Sequence, residues 1–366
     1  MIIRAALGDR IDLRRTGAHP DHWYPLAWSA EIRRGKLLAR NFAGQPIVLF
    51  RGHSGAIHAL EDRCAHRQVP LSAGMVEGDT LRCGYHGWRY NCAGACVDVP
   101  YLTQAQVPNG IRAYPVREVD GLVFIFPGNP ALADARVPEG LGSVSNRAYK
   151  TRRLYRSVAC HYTFMHENLF DMNHQFLHRS LMGQVKASCL GRRMGDDWCE
   201  VDYTFTRKAG RPNMGEDAIR NMLGRKGEGH DLMTIRTFYP YQSLKVWVKG
   251  GQPALDVWLC YTPQDLAQRT NRTFGYLSVK KSRVPGLTCL LWPLVSWFTD
   301  GIFRQDKHIV ELEQAAHDVQ GCCLNQEVFL PVLDVRAVLG RCGVRLSGTP
   351  AVSEANAEQR GHRLSF

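Results

Sequence analysis

No stretch of this 366-residue chain is apolar for long enough to cross a bilayer. The most apolar run, LTCLLWPLVSWF from Leu287 to Phe298, has twelve residues and contains Pro293. Its expected role is packing, with a substrate-entrance lip or contact with a membrane surface as the lesser alternatives. The opening residues MIIRAALGDRIDLRR lack the apolar core of a signal peptide, so the protein is expected in the cytoplasm. Long basic runs are absent as well. The formal charge is +12, yet Lys and Arg are spread along the chain, and Arg192-Arg193 and Lys280-Lys281 read as solvated pairs. Nucleic acid is therefore not an expected partner; a diffuse positive surface instead steers an acidic protein toward it. No Gly-x-Gly-x-x-Gly follows a strand pattern, which removes a dinucleotide fold, and no His-Glu-x-x-His occurs, which removes the common zinc-protease helix. The twelve cysteines are scattered along a long chain, so reduced thiols with a metal site are expected rather than a disulfide framework.

What is present begins with CAHRQVPLSAGMVEGDTLRCGYH, Cys64 to His86. It sets Cys64-x-His66 and Cys83-x2-His86 in one segment with sixteen residues between the pairs. Four metal-capable side chains at that spacing rarely serve packing alone. Structural zinc in the finger pattern groups like ligands, Cys with Cys and His with His. Here the order alternates, which suits a two-iron cluster with thiolates on one iron and imidazoles on the other. Cys92, Cys96, Cys322 and Cys323 are expected to be structural, since the four-ligand set is complete without them. Up to about residue 127 the chain reads as short strands and turns (PIVLFR, AIHAL, TLRCGYHGWRY, GLVFIF), a small antiparallel β domain. Each Cys–His pair falls at a strand end or loop.

The second cluster is HENLFDMNHQFLHRSLMG, His166 to Gly183. Placed on a regular helix, Asp171, His174 and His178 share one face. Two histidines four apart with a carboxylate one turn earlier point to a metal, and the pattern admits zinc as well as iron. Two histidines and one carboxylate on one side of an ion form the facial triad of non-haem Fe(II) oxygenases. The strand-like runs EVDYTFTR, DLMTIRTFYP, LKVWVKG, LDVWLCYTP and RTFGYLSVK lie between helical segments, so the expected class is α+β. Residues 207–231, rich in glycine and charge, read as a mobile insertion.

With its two Cys–His pairs followed by Gly87, Trp88 and Tyr90, and with Asn-Leu-x-Asp-x2-His-x3-His further on, the chain resembles the oxygenase component of Rieske non-haem iron oxygenases. The resemblance covers nearly everything to about residue 340. It implies an all-β Rieske [2Fe–2S] domain at 1–130 (core about 22–127), a catalytic domain at 131–345 with a curved antiparallel sheet covered by helices, and a tail at 346–366. The cluster ligands map to Cys64, His66, Cys83 and His86; Ala65 stands where the family usually has proline. His174 and His178 map to ligands of a mononuclear Fe(II). Asp171 maps to an acid bridging a cluster histidine of the partner subunit to His174, and Asn168 to a residue near the iron. The third ligand maps to Asp306 in FRQDKHIVELEQ, with Asp300 and Glu311 as competitors. Many members have four residues between the two histidines and this chain has three, so His161 and His166 are the fallback ligands.

Inserting one oxygen atom from O2 and releasing the other as water requires two electrons from outside. The resemblance therefore implies a head-to-tail homotrimer, served by an acidic ferredoxin or flavin-containing reductase that alone binds NAD(P)H. The implied reaction is hydroxylation or oxidative demethylation of a hydrophobic, bulky or polycyclic substrate. Cis-dihydroxylation of an arene is the alternative reaction. An electron carrier without oxygenase activity and a zinc-stabilised binding module are the alternatives of other classes.

Overall fold

Strands Pro253–Pro263 and Asn271–Lys280 are buried at nearly every position, and their β-branched and aromatic residues suit a sheet covered on both faces. They sit inside a seven-stranded antiparallel sheet. Its order is Tyr149–Val158, Asn271–Lys280, Pro253–Pro263, Tyr241–Trp247, Leu232–Phe238, Trp198–Ala209, Gln184–Met194. The successive residues Tyr241 and Gln242 show how the two faces are covered, because neighbours on a strand point to opposite sides. The Tyr241 hydroxyl donates to the Trp23 carbonyl at 2.7 Å, on the side of strand Tyr24–Trp28. The Gln242 amide donates to the His166 carbonyl at 3.0 Å, on the side of helix α1 (Tyr162–Phe170).

The computed structural model describes residues 12–103, 110–138, 141–209, 214–222, 232–247 and 251–346. Its first half is all β: three antiparallel sheets of four, four and three strands between Tyr24 and Ile125. A separate small core of Val48, Phe50, Leu60, Leu71, Leu81 and Tyr90 encloses Cys64 and Cys83. The second half adds α2 (Arg179–Met182), α3 (Met214–Met222), α4 (Leu287–Gln320) and α5 (Leu330–Cys342) to the large sheet, which makes the α+β class expected from the runs of strands. Helix α4 has 34 residues and presents a buried stripe at Val295, Thr299, Asp306, Val310 and Gln314, the spacing of one helical face. A carboxylate inside that stripe is costly unless partnered.

Residues 12–17 pack against the second half. Thr16–Gly17 pairs with Val344–Arg345, and Arg14 joins Arg336 of α5 in an ion pair with Glu167 of α1. All three charged side chains are at least nine-tenths buried. Removing one member would strand a buried charge, at a cost of about 3–5 kcal/mol.

Two expectations change here. Residues 214–222 of the supposed insertion form α3, and a β-carbon on Gly215 would fall 2.2 Å from Phe298 Cβ, so this stretch is packed on α4. Residues 210–213 and 223–231, and the tail beyond Leu346, lie outside the described residues. The run Leu287–Phe298 opens α4; Thr288, Val295 and Phe298 are buried, whereas Leu290 and Trp297 are exposed, so packing accounts for one side only.

Candidate metal centres

The strand Ile57–Glu61 gives way to a loop that its own polar groups close. The Asp62 carboxylate accepts the Ser72 N–H and hydroxyl, each at 2.7 Å. Cys64 N–H donates to the Val69 carbonyl at 2.9 Å, and Gln68 N–H returns to the Cys64 carbonyl at 2.9 Å. The second loop follows strand Thr80–Arg82: Cys83 N–H donates to the Trp88 carbonyl at 2.8 Å, and the turn passes through Gly87 at φ +74°. Glycines let the two loops meet. A β-carbon on Gly74 would lie 2.1 Å from the Arg82 carbonyl oxygen, and one on Gly84 2.8 Å from that of Ala73.

This frame separates the two ligand types. Cys64 and Cys83 are 2 % and 3 % exposed, whereas His66 and His86 face solvent with ring centroids 4.6 Å apart. Trp88 stacks on His66 at 4.8 Å with planes 2° apart. The Tyr90 hydroxyl accepts the Ala65 N–H at 3.0 Å and lies 3.2 Å from Cys64 Sγ, within reach to donate to a thiolate there. Burial raises the Cys83 thiol above its ordinary value, and the backbone N–H of Tyr85 opposes it. Loss of solvation, then His66 and Arg67, hold His86 low, in the neutral form that binds metal. Among the described residues, only His174, His178 and Asp306 bring three such donors within 4.8 Å of one another. The four Cys and His side chains do not converge on one point. Buried thiols at one end and exposed imidazoles at the other fit a two-iron cluster better than a single tetrahedral ion.

The expected regular helix through Asp171, His174 and His178 does not form. Helix α1 ends at Phe170, and the Asp171 carboxylate accepts the Asn173 N–H at 2.9 Å, which starts a 3-10 helix at Met172–Phe176. His178 then caps α2, which stops at Gly183 with φ +70°. Aspartate competes with the helix for backbone donors, and that local bond wins here. The histidines converge nonetheless, with centroids 5.0 Å apart.

Asp306 comes to them from the buried stripe of α4. Its Oδ1 lies 3.2 Å from His178 Nε2, 3.8 Å from His174 Nε2 and 3.2 Å from Asn168 Nδ2, which donates to it. Gln305 sets the other side of His178, its Oε1 lying 2.8 Å from Nδ1. The Gln305 amide nitrogen faces Ser180 Oγ at 3.2 Å, a second contact that holds the side chain beside the ring. The Nδ1 contact with Gln305 orients the His178 ring so that Nε2 faces Asp306. Among the described residues His178 Nε2 has no hydrogen-bond partner, and neither has His174 Nδ1, the ring nitrogen other than the one that approaches Asp306. Burial lowers the basicity of His174, with Asp306 opposing; at His178 burial acts the same way, but the Asp306 carboxylate beside Nε2 outweighs it. Two imidazoles around a buried carboxylate, His178 Nε2 among them without a hydrogen-bond partner, are a donor set that a divalent metal satisfies.

The fallback residues lie elsewhere. His161 is the N-cap of α1, its Nδ1 2.8 Å from Thr163 Oγ1, and His166 is buried with its Nδ1 3.3 Å from Thr237 Oγ1. The competing acids are engaged too: Asp300 by Arg152 and Arg156, Glu311 by the Ala159 N–H and Lys307. Gln305 and the Tyr90 hydroxyl contact were missed by sequence reasoning. An amide beside an acid carries no pattern of its own.

Comparison with known proteins agrees with this geometry. Residues 22–115 match the family model of the Rieske [2Fe–2S] domain, and residues 158–333 match the vanillate O-demethylase oxygenase C-terminal domain. The chain is 32 % identical over 324 residues to a 4β-methylsterol monooxygenase of Methylococcus capsulatus, covering 83 % of each chain. It is 38 % identical over 160 residues to the oxygenase component of dicamba O-demethylase from Stenotrophomonas maltophilia, 43 % of this chain and 47 % of that one. Dicamba monooxygenase bound to 3,6-dichlorosalicylic acid superposes with a TM-score of 0.71 at 24 % identity, over 91 % of this chain and 97 % of that chain. The terminal oxygenase of carbazole 1,9a-dioxygenase from Nocardioides aromaticivorans does so at 0.65 and 21 % identity, covering 91 % and 97 %, so the fold alone does not choose the reaction.

Proposed function

This chain belongs to the Rieske oxygenases, as an oxygenase component with a Rieske [2Fe–2S] cluster and a mononuclear iron, and from that premise we propose how its residues divide the work. Cys64 and Cys83 hold the inner iron of the cluster, and His66 and His86 hold the outer one. His174, His178 and Asp306 hold the mononuclear iron. The observation that carries this reading is the convergence of three donors, one of them (His178 Nε2) otherwise partnerless, on one point. When bound, the cluster supplies single electrons and the iron supplies O2 activation.

The surrounding residues orient these ligands. Tyr90 donates its proton toward Cys64 Sγ and stabilises negative charge there. Asn168 keeps the Asp306 carboxylate turned toward the histidines. Asp171 bridges His174 to His66 or His86 of the partner subunit, across a head-to-tail trimer. The chain divides at about residue 130, with 1–130 carrying the cluster, 131–345 the mononuclear iron and 346–366 forming a tail. An acidic ferredoxin or flavin-containing reductase docks on the positive surface in the cytoplasm and brings electrons from NAD(P)H. The substrate is a bulky, polycyclic hydrocarbon skeleton bearing a methyl group, and the reaction is monooxygenation at that methyl. The relative aligned over 83 % of this chain, a 4β-methylsterol monooxygenase, supports the choice.

Gln305→Leu is expected to leave the cluster spectrum unchanged while weakening iron retention about 10- to 100-fold, the scale on which loss of an outer partner acts. Dialysis against a chelator, followed by iron analysis, measures it. The reaction itself is tested with a surrogate reductase and a 4-methylsterol, following product mass. Gain of one oxygen supports monooxygenation and gain of two on a ring supports the dioxygenase alternative. Brown protein holding only the two irons of the cluster would reduce the chain to an electron carrier. Colourless protein after anaerobic handling would remove both readings.

A further inference from the structure

We propose that the first three turns of α4 dock the enzyme on an anionic lipid bilayer. Leu290, Pro293 and Trp297 recur at spacings of three and four, so they share one face of the helix. Leu290 is 75 % and Trp297 57 % exposed, and Val284, just before the helix, is 58 % exposed. The opposite side, with Thr288, Val295, Phe298 and Thr299, is buried in the protein. Met214, at the start of α3, adds a further exposed apolar side chain, since Gly215 beside it abuts Phe298.

The charges that flank this face along α4 are mainly basic, while α3 brings Glu216 and Asp217, of which Glu216 is paired with Arg207. Lys281 and Arg283 precede it, Arg304 follows it, and all three are exposed. Lys150 lies 4.9 Å over the Trp292 ring, and Arg147 is exposed beside Lys281, whose Nζ donates to the Arg147 carbonyl at 2.8 Å. Between Lys280 and Arg304 the single acid is Asp300, and Arg152 and Arg156 already hold it. A short apolar face carrying tryptophan, flanked by Lys and Arg, is the chemistry of a helix lying in the plane of an anionic lipid surface. A bilayer with anionic headgroups matches both the basic flanks and the projecting Leu290 and Trp297. Twelve residues extend about 18 Å as helix, so the segment lies on the bilayer and does not cross it. Asp306 is nine residues beyond Trp297 on the same helix, roughly 13 Å along its axis. Docking would hold the iron ligands near the surface from which an apolar compound leaves the membrane.

The test uses the full-length, metal-loaded protein in flotation with two vesicle preparations, phosphatidylcholine alone and an equal mixture with phosphatidylglycerol. Flotation is expected with the mixed vesicles, falling as salt is raised. The double variant Leu290→Ser/Trp297→Ser is expected to lose more than about tenfold in apparent affinity, and Arg283→Gln about fivefold. Both should keep wild-type iron content. Absence of flotation with either vesicle, or equal flotation by the double variant, overturns the proposal. So does a change in the sedimentation coefficient of the double variant without lipid, which would assign the face to a contact between copies. No substrate enters this assay, so an error in the substrate class leaves its outcome untouched.

Discussion

Asp306→Ala is expected to remove the mononuclear iron, leave the two irons of the cluster, and stop product formation. The carboxylate supplies the only negative charge in the three-donor group, and its Oδ1 is the atom both His174 Nε2 and His178 Nε2 approach. Two neutral imidazoles alone hold Fe(II) far less tightly, and the loss should exceed about 100-fold, the upper end for losing a mere outer partner. The fold should survive. Asp306 is 9 % exposed and makes no ion pair with Lys or Arg among the described residues, so its removal relieves a buried charge rather than stranding one. Iron analysis, with visible absorption as the record of the cluster, gives the result directly. Asp300→Ala and Glu311→Ala serve as controls and should retain iron, because those acids answer to Arg152, Arg156 and the Ala159 N–H. Full iron content in Asp306→Ala would exclude this carboxylate as a ligand.

Asp171→Asn is expected to behave differently, keeping both metals and losing turnover. Asparagine retains an oxygen for the Asn173 N–H, so the turn that delivers His174 should stand. What disappears is the negative charge beside His174, which favours the charged form of that ring. In the trimer proposed above, the carboxylate's free oxygen also reaches a cluster histidine of the partner subunit. The expected fall in kcat is roughly two to four orders of magnitude, the scale seen when a carboxylate orienting a working imidazole becomes an amide. Single-turnover mixing of the reduced variant with substrate and O2 should show slow loss of the reduced-cluster signal at normal iron content. A wild-type rate would confine Asp171 to capping the turn.

These two residues also mark what the sequence made legible. Cys64, His66, Cys83 and His86 were readable because thiols and imidazoles paired so closely within one segment rarely serve packing. His174 and His178 were readable as a pair, but the helix drawn through them was not the one that forms. Spacing cannot reveal that the Asp171 side chain captures a backbone donor and breaks the helix. The five strand runs between residues 200 and 280 stood out by composition. Strands Tyr149–Val158 and Gln184–Met194 did not, because they lie at the sheet edges and carry many charged or exposed residues. Gln305 lay beyond reach, since its role depends on the meeting of α4 with α2, a contact made 127 residues apart.

The Arg14–Glu167–Arg336 ion triad bears on how such enzymes could be recombined. A cut near residue 130 looks like a seam between interchangeable cassettes, yet residues 12–17 on its near side neutralise Glu167 on its far side. A chimera that imports a foreign electron-carrying module wholesale would bring along an unmatched leader. Glu167 would then be short of one of its two arginines, immediately before the asparagine that steadies Asp306. Hybrids that graft only the part after about residue 20 keep that neutralisation within one parent, and should be the ones that still retain mononuclear iron.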